Sequence, residues 1–318
     1  MTDRAVLLPS RTPDEVAQFS RRRAVDAATL TEASKIVENV RLDGKDAVTQ
    51  YAQQFGEAED GQALVLGRDV LEHAVDSIDA STRLLLERTA SRIALFARAQ
   101  RDAVCEVDVD VPGGRAGHTV EPIANAGCYA PAGRYPLPSS VLMTGVTARV
   151  AGCSRVVVAS PSRAPIMLAA AASAGAEQYL AVGGAHAVAS MAFGFDGFAP
   201  CDVIAGPGNK WVTAAKQLVS DAVGIDMLAG PSELLIIADG TADVRTIAAD
   251  LLAQAEHDPE ASSMLITLCE SHASDINNEL GRQLSRLGTA KTATRALSNG
   301  FVCVASSIEE ALVLSDQI

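Results

Sequence analysis

Apolar residues recur at helical spacing through the first hundred positions. Ala33, Ile36, Val37 and Val40 lead up to Gly44, and Ala47, Val48, Tyr51 and Phe55 lead up to Gly56, so each set marks one helix face closed by a glycine. A third helix is predicted over residues 81–99. The period then changes: Val107, Val109 and Val111 alternate with Glu106, Asp108 and Asp110 as far as the Pro112-Gly113-Gly114 turn. That is the pattern of a strand with one exposed face, and the stretch reads as a hinge region.

From Cys128 onward short apolar runs alternate with helical segments. Runs at 156–159, 179–182 and 203–205 each end near Pro or Gly and lead into a helix, which is a βαβ rhythm with a parallel sheet. The rhythm resumes after Gly230-Pro231, with strands predicted at 234–238, 264–268 and 301–305 and helices at 244–257 and 274–287. The fold class is therefore α/β, two units with mainly parallel sheets. No fixed-period repeat is visible, and the only biased tract is the alanine-rich one around 169–176. Residues 178–195 carry no Asp, Glu, Lys or Arg, yet Gly183, Gly184, His186, Ser190 and Gly194 fit a buried strand, turn and helix better than a membrane span.

Composition sharpens this picture. With 318 residues and 48% hydrophobic content the chain can bury a real core. Aromatics at 4% disfavour a sandwich built on aromatic packing. A net charge of −13 opposes binding to nucleic acid or anionic lipid. The one short basic run, Arg21-Arg22-Arg23, reads as a solvated helix end. Residues 1–10 lack a secretory pattern, and six cysteines without a C-x-x-C pair read as reduced, structural thiols, so a cytoplasmic location is expected.

Four segments are candidates for chemistry. Gly206-Pro207-Gly208-Asn209 joins a strand to a helix, where backbone amides either face a phosphate or merely serve a tight turn. Gly183-Gly184 is a similar turn and sets His186 in the first turn of the next helix, as a cofactor contact or a satisfied helix-start residue. In the run from Asp250 to Pro259, Gln254 and His257 share one helix face. They suit either a divalent metal, with imidazole favouring zinc, or a histidine complementing a helix C-terminus. Ser232, in the loop from Ile225 to Glu233, lacks the G-x-S-x-G setting of a nucleophile and is a hydrogen-bonding or loop-capping residue.

Five motifs in order resemble the histidinol dehydrogenase family: Gly127-Cys128-Tyr129-Ala130-Pro131-Ala132-Gly133, Val182-Gly183-Gly184-Ala185, Gly206-Pro207-Gly208-Asn209, the segment 225–233 and the segment 250–257. The resemblance covers the chain from about residue 25 onward. It implies two related, incomplete Rossmann-like units, the second inserted into the first. The expected layout is an N-terminal arm at 1–24, a discontinuous first domain at 25–127 and 233–318, and a second domain at 128–232. It further implies a cytoplasmic homodimer that oxidises L-histidinol through the aldehyde to L-histidine, using NAD and zinc (Zn2+). On this resemblance Tyr129, His186 and Asn209 would contact NAD, Ser232, Gln254 and His257 would contact substrate, and Gln254 and His257 would ligate zinc.

The chain departs from the family pattern in two places. The family carries glutamine where this chain has His186. Its Glu-His proton-transfer pair falls just beyond the position matching Ile318, and the remaining Asp and His zinc ligands fall later still, so the catalytic residues are not in this sequence. The expectation is a truncated histidinol dehydrogenase, inactive by itself. The other readings are a relative acting on another small alcohol such as sulfopropanediol, to which the run Gly133-Arg134-Tyr135-Pro136-Leu137 also points, and a naturally shortened, non-catalytic binding protein.

Overall fold

The computed structural model describes residues 7–19, 24–132 and 136–318. The runs Arg21–Arg23 and Gly133–Tyr135, named above, lie outside the described residues, as do residues 1–6. In chain order the elements begin with β1 (Ser10–Arg11), α1 (Pro13–Ala17), α2 (Ala27–Asp43), α3 (Lys45–Gln54), β2 (Val65–Gly67), α4 (Arg68–Ser77) and α5 (Ala80–Asp102). There follow β3 (Val107–Val111), β4 (Gly114–His118), β5 (Asn125–Tyr129), α6 (Pro138–Ala151), β6 (Arg155–Ala159), α7 (Pro165–Ser173), β7 (Gln178–Leu180), α8 (Gly184–Phe193), β8 (Val203–Ala205), α9 (Lys210–Val219) and β9 (Gly224–Ile225). The last elements are β10 (Glu233–Ala238), α10 (Val244–Ala255), β11 (Ser262–Thr267), α11 (Glu270–Leu284), α12 (Ala290–Leu297), β12 (Phe301–Val304) and α13 (Ile308–Gln317).

Two compact units result: Val25–Ala229 is one, and Met1–Ala24 with Gly230–Ile318 is the other. One unit is thus inserted into the other, and the division lies elsewhere than in the expected layout. Residues 25–127 share a unit with 128–229 rather than with 233–318, because β2 pairs antiparallel with β7 and the apolar faces of α2 and α3 bury against the same sheet. The N-terminal segment is a working part of its unit: β1 pairs with β12, Leu8 is buried, and Val16 of α1 packs with Met264, Ile266 and Phe301.

The sheet of the Val25–Ala229 unit runs β2-β7-β6-β5-β8-β9, parallel except for β2. Counted from β5, the parallel strands take the order 3-2-1-4-5 of a doubly wound sheet. Alternate strand residues feed two cores. Val157, Ala159 and Leu180 face α2, α3, α8 and α9, while Val156, Val158 and Tyr179 face α4 to α7. A strand buried on both faces must be apolar throughout, which is why these strands were visible as continuous apolar runs.

The other unit has an all-parallel sheet, β1-β12-β11-β10. Leu265 and Val302 point to the core with α10, α11 and α12, and Ile266 and Cys303 to the core with α1 and α13. Helix α10 stops at Ala255, two residues before His257, and α11 begins at Glu270, four before the expected start. The polar segment Glu270-Ser271-His272 carries no apolar stripe to announce that start.

The stretch read as a hinge is an antiparallel hairpin, β3 with β4, inside the Val25–Ala229 unit. Both of its strands are exposed throughout, and Arg115 bridges Asp108 at 2.8 Å and Asp110 at 3.0 Å. Among the described residues no helix is long and apolar enough to cross a membrane. All six cysteines are free; Cys128, Cys153, Cys201 and Cys303 are buried and Cys105 and Cys269 exposed.

Candidate functional site

Strand order reverses at β5, so the chain leaves β5 and β8 in opposite directions; ligands of open α/β sheets sit at the C-terminal strand ends of such a switch point. Tyr129 ends β5, and Gly206-Pro207-Gly208-Asn209 follows β8. These segments touch through backbone: a Cβ on Gly206 would stand 2.0 Å from the Tyr129 carbonyl oxygen, and Gly206 has φ +135. Only glycine fits there.

Asn209 is the N-cap of α9. Its Oδ1 accepts from the amides of Trp211 at 3.0 Å and Val212 at 3.2 Å, which leaves the Nδ2 group as what it can offer a ligand. A buried lysine supports the same turn from behind. Lys216 Nζ donates to the Gly206 carbonyl at 2.5 Å and to Asp226 Oδ1 at 2.6 Å, while Asp226 Oδ2 accepts from the Gly206 amide at 2.8 Å. Burial pushes the Asp226 carboxyl up, but the Gly206 amide, the Lys216 ammonium and the Met227 amide outweigh it and hold the carboxyl below its ordinary value.

The Gly183-Gly184 turn is the second part of the site. The Tyr129 hydroxyl accepts from the Gly184 amide at 3.0 Å, and Gly184 has φ +59. Glu57 Oε2 accepts from the Gly183 amide at 3.1 Å and lies 2.8 Å from His186 Nε2. The imidazole is 1% exposed and lies beside the rings of Tyr51 and Phe55, with centroids 5.9 and 5.5 Å away. Its Nδ1 is buried without a partner. The structure therefore joins Tyr129 and His186 through Gly184 and Glu57, and sets Gly206 against Tyr129.

Burial pushes the Tyr129 phenol up to about 12, with the Gly184 amide working against that and the Glu57 charge with it. A raised folded-state value stabilises the fold fully below the free phenol's pKa of about 10, and that contribution is lost as pH rises through about 12. Tyr179, also pushed up to about 12 by burial, behaves likewise. Ultraviolet difference titration is expected to show these two phenols ionising only near alkaline unfolding; normal ionisation of both in the folded protein would contradict their burial.

Ser232, Gln254 and His257 lie in the other unit. Ser232 is exposed just before β10, and its carbonyl accepts from the Ser262 amide at 3.0 Å. Gln254 is half-buried in the last turn of α10; exposed His257 follows in a turn, its amide donating to the Gln254 carbonyl at 3.3 Å. Gln254 and His257 are brought together by this turn rather than by a continuous helix. No hydrogen bond among the described residues joins their side chains to Ser232. No group of three or more His, Cys, Asp or Glu side chains able to hold a metal occurs among the described residues either.

Sequence reasoning missed Glu57, Lys216 and the role of Asp226. Lys216 had left a signal, since it occupies the apolar stripe Val212, Lys216, Val219 of α9. Glu57 had left none.

The family model for histidinol dehydrogenase matches residues 19–318. A histidinol dehydrogenase of Thermus thermophilus is 39% identical over 304 residues, covering 94% of this chain and 72% of that one. "Histidinol dehydrogenase homolog 1" of Mesorhizobium japonicum is 36% identical over 299 residues, covering 92% of this chain but only 60% of its own length. The crystal structure of histidinol dehydrogenase from Elizabethkingia anophelis superposes with a TM-score of 0.87 at 29% identity, covering 98% of this chain and 74% of that one.

Proposed function

Because the chain belongs to the histidinol dehydrogenase family, we propose that it binds NAD at the ends of β5 and β8 and serves the oxidation of L-histidinol to L-histidine in the cytoplasm, as part of a homodimer. The observation that carries this reading is the strand-order reversal at β5, with Gly206 pressed against Tyr129 and Asn209 capping the helix beyond.

The residues present fit NAD. The Gly183-Gly184 and Gly206 turns stand at the parallel strand ends where open α/β sheets take dinucleotides, and a buried, unpartnered His186 Nδ1 is a polar atom in want of a ligand. Tyr129 and His186 would contact the cofactor beside the Gly183-Gly184 turn, and Asn209 would contact it through its Nδ2 group. NAD, when bound, is the two-electron acceptor. The protein's part is to hold Tyr129 and His186 fixed through Glu57 and Gly184, so that ordering is not paid at each binding event.

The residues present do not by themselves fit zinc. Gln254 and His257 supply two donors, whereas a zinc site takes three or four from protein, and no further cluster exists among the described residues. They are proposed as two ligands and substrate neighbours, with Ser232 as a hydrogen-bonding substrate contact, and no step is routed through the metal.

NAD reduction, followed by absorbance in protein isolated from its native source, tests this. Zinc-dependent NADH formation from L-histidinol is expected of native protein that carries the family's catalytic pair and remaining zinc ligands, and none is expected of the 318-residue chain by itself. Reduction with sulfopropanediol alone would move the assignment to another small alcohol, a reading favoured by His186 standing where the family carries glutamine. Reduction with neither, by protein that binds ligand, would overturn the dehydrogenase reading.

A further inference from the structure

We infer that Lys216 and Asp226 are positioning residues that set the Gly206 turn for ligand binding; this rests on the cofactor reading of the β5 and β8 strand ends. Lys216 is 3% exposed, yet it sits in α9 among Ala214, Ala215 and Val219, all fully buried. Carrying an ammonium there has a desolvation penalty that an apolar side chain of similar length would avoid, so the pair is poorly explained by stability alone.

What the pair does instead is local. Its two side chains take hold of both polar groups of one residue: Lys216 Nζ donates to the Gly206 carbonyl and Asp226 accepts from the Gly206 amide. Asp226 is itself fixed by the Lys216 ammonium at 2.6 Å, by the Met227 amide at 2.7 Å and by its own amide on the Ile204 carbonyl.

Gly206 needs such support. At φ +135 it has the freedom of glycine and no side chain to limit it, so nothing within the residue selects its peptide orientation. That orientation decides where Pro207, Gly208 and Asn209 go. Helix α9 then holds the turn from two places, through the Asn209 cap at its first turn and through Lys216 further along. The arrangement fixes the loop before ligand arrives, which favours binding by removing the ordering cost.

The test is the double variant K216M/D226N in the full 318-residue chain, which removes both charges and leaves neither buried alone. Amide hydrogen exchange across residues 206–212 reads the turn directly. NAD affinity is read by the emission of Trp211, the only tryptophan, which lies two residues past Asn209. Exchange about tenfold faster and an NAD Kd raised about tenfold are expected, with a thermal midpoint by circular dichroism near that of the parent. Should the double variant fail to fold, D226N alone is used, since it keeps an oxygen for Lys216 but meets the Gly206 amide with a second donor. Unchanged exchange overturns the clamp. Faster exchange with unchanged NAD affinity overturns its role in binding. If the parent chain binds no NAD, the cofactor reading fails, and the clamp stands or falls on exchange alone.

Discussion

Gly206→Ala is expected to cost the Val25–Ala229 unit a large part of its stability and to abolish NAD binding by what then folds. The added Cβ would lie 2.0 Å from the Tyr129 carbonyl oxygen, 2.9 Å from its carbon and 3.1 Å from its nitrogen. All three are backbone atoms of a central strand, so no flexible side chain can give way. Moving β5 would break its pairing with β8, where Gly127 opposes Ile204 and Cys128 opposes Ala205. Strain at this φ contributes about 1–3 kcal/mol, and overpacking of backbone adds about 1–3 kcal/mol or more. Against a typical domain stability of about 5–15 kcal/mol, that is a severe loss. Gly56→Ala is the control: φ is +71, but nothing lies within 4 Å, so only the left-handed backbone penalty of about 1–2 kcal/mol applies. Equal urea midpoints for the two variants would show that the contact with Tyr129 does not limit the turn.

Glu57→Ala is expected to destabilise the same unit by about 2–6 kcal/mol, through two buried donors left without an acceptor at about 1–3 kcal/mol each. The donors are the Gly183 amide and His186 Nε2, which share one carboxylate oxygen. A carboxylate only accepts, so the imidazole nitrogen facing it carries the proton. With that acceptor gone, His186 would be buried with neither ring nitrogen paired, since Nδ1 already has no partner. Glu57→Gln retains a carbonyl oxygen and should recover much of the loss. Urea unfolding of both variants, with NAD titration of each, checks this. If Ala and Gln proved equally stable, the hydrogen bonds would not be what holds the turn.

The parallel strands and their following turns were legible because doubly buried strands must be apolar, and because Gly183-Gly184 and Gly206-Pro207-Gly208 punctuate them. Strands β1, β2 and β9, of two or three residues each, carry too little sequence to show a period. The exposed strand 107–111 and the turn after it were legible, but the stretch was read as a hinge because alternating Val and Asp do not show the pairing with β4. Its partner in the pattern was Arg115 rather than a core.

The sequence by itself determined the fold class, the family and the order of the site segments, since each is written in local periodicity or in contiguous motifs. Tertiary structure alone decided that residues 25–127 join 128–229, that Glu57 reaches His186 across 129 positions, and that Lys216 and Asp226 close on Gly206. The physical reason is range. A helix stripe or a strand-turn-helix motif is set by neighbours a few residues apart, whereas a lone Glu after a helix or a lone Lys on an apolar stripe acquires meaning only when folding supplies the distant group that satisfies it.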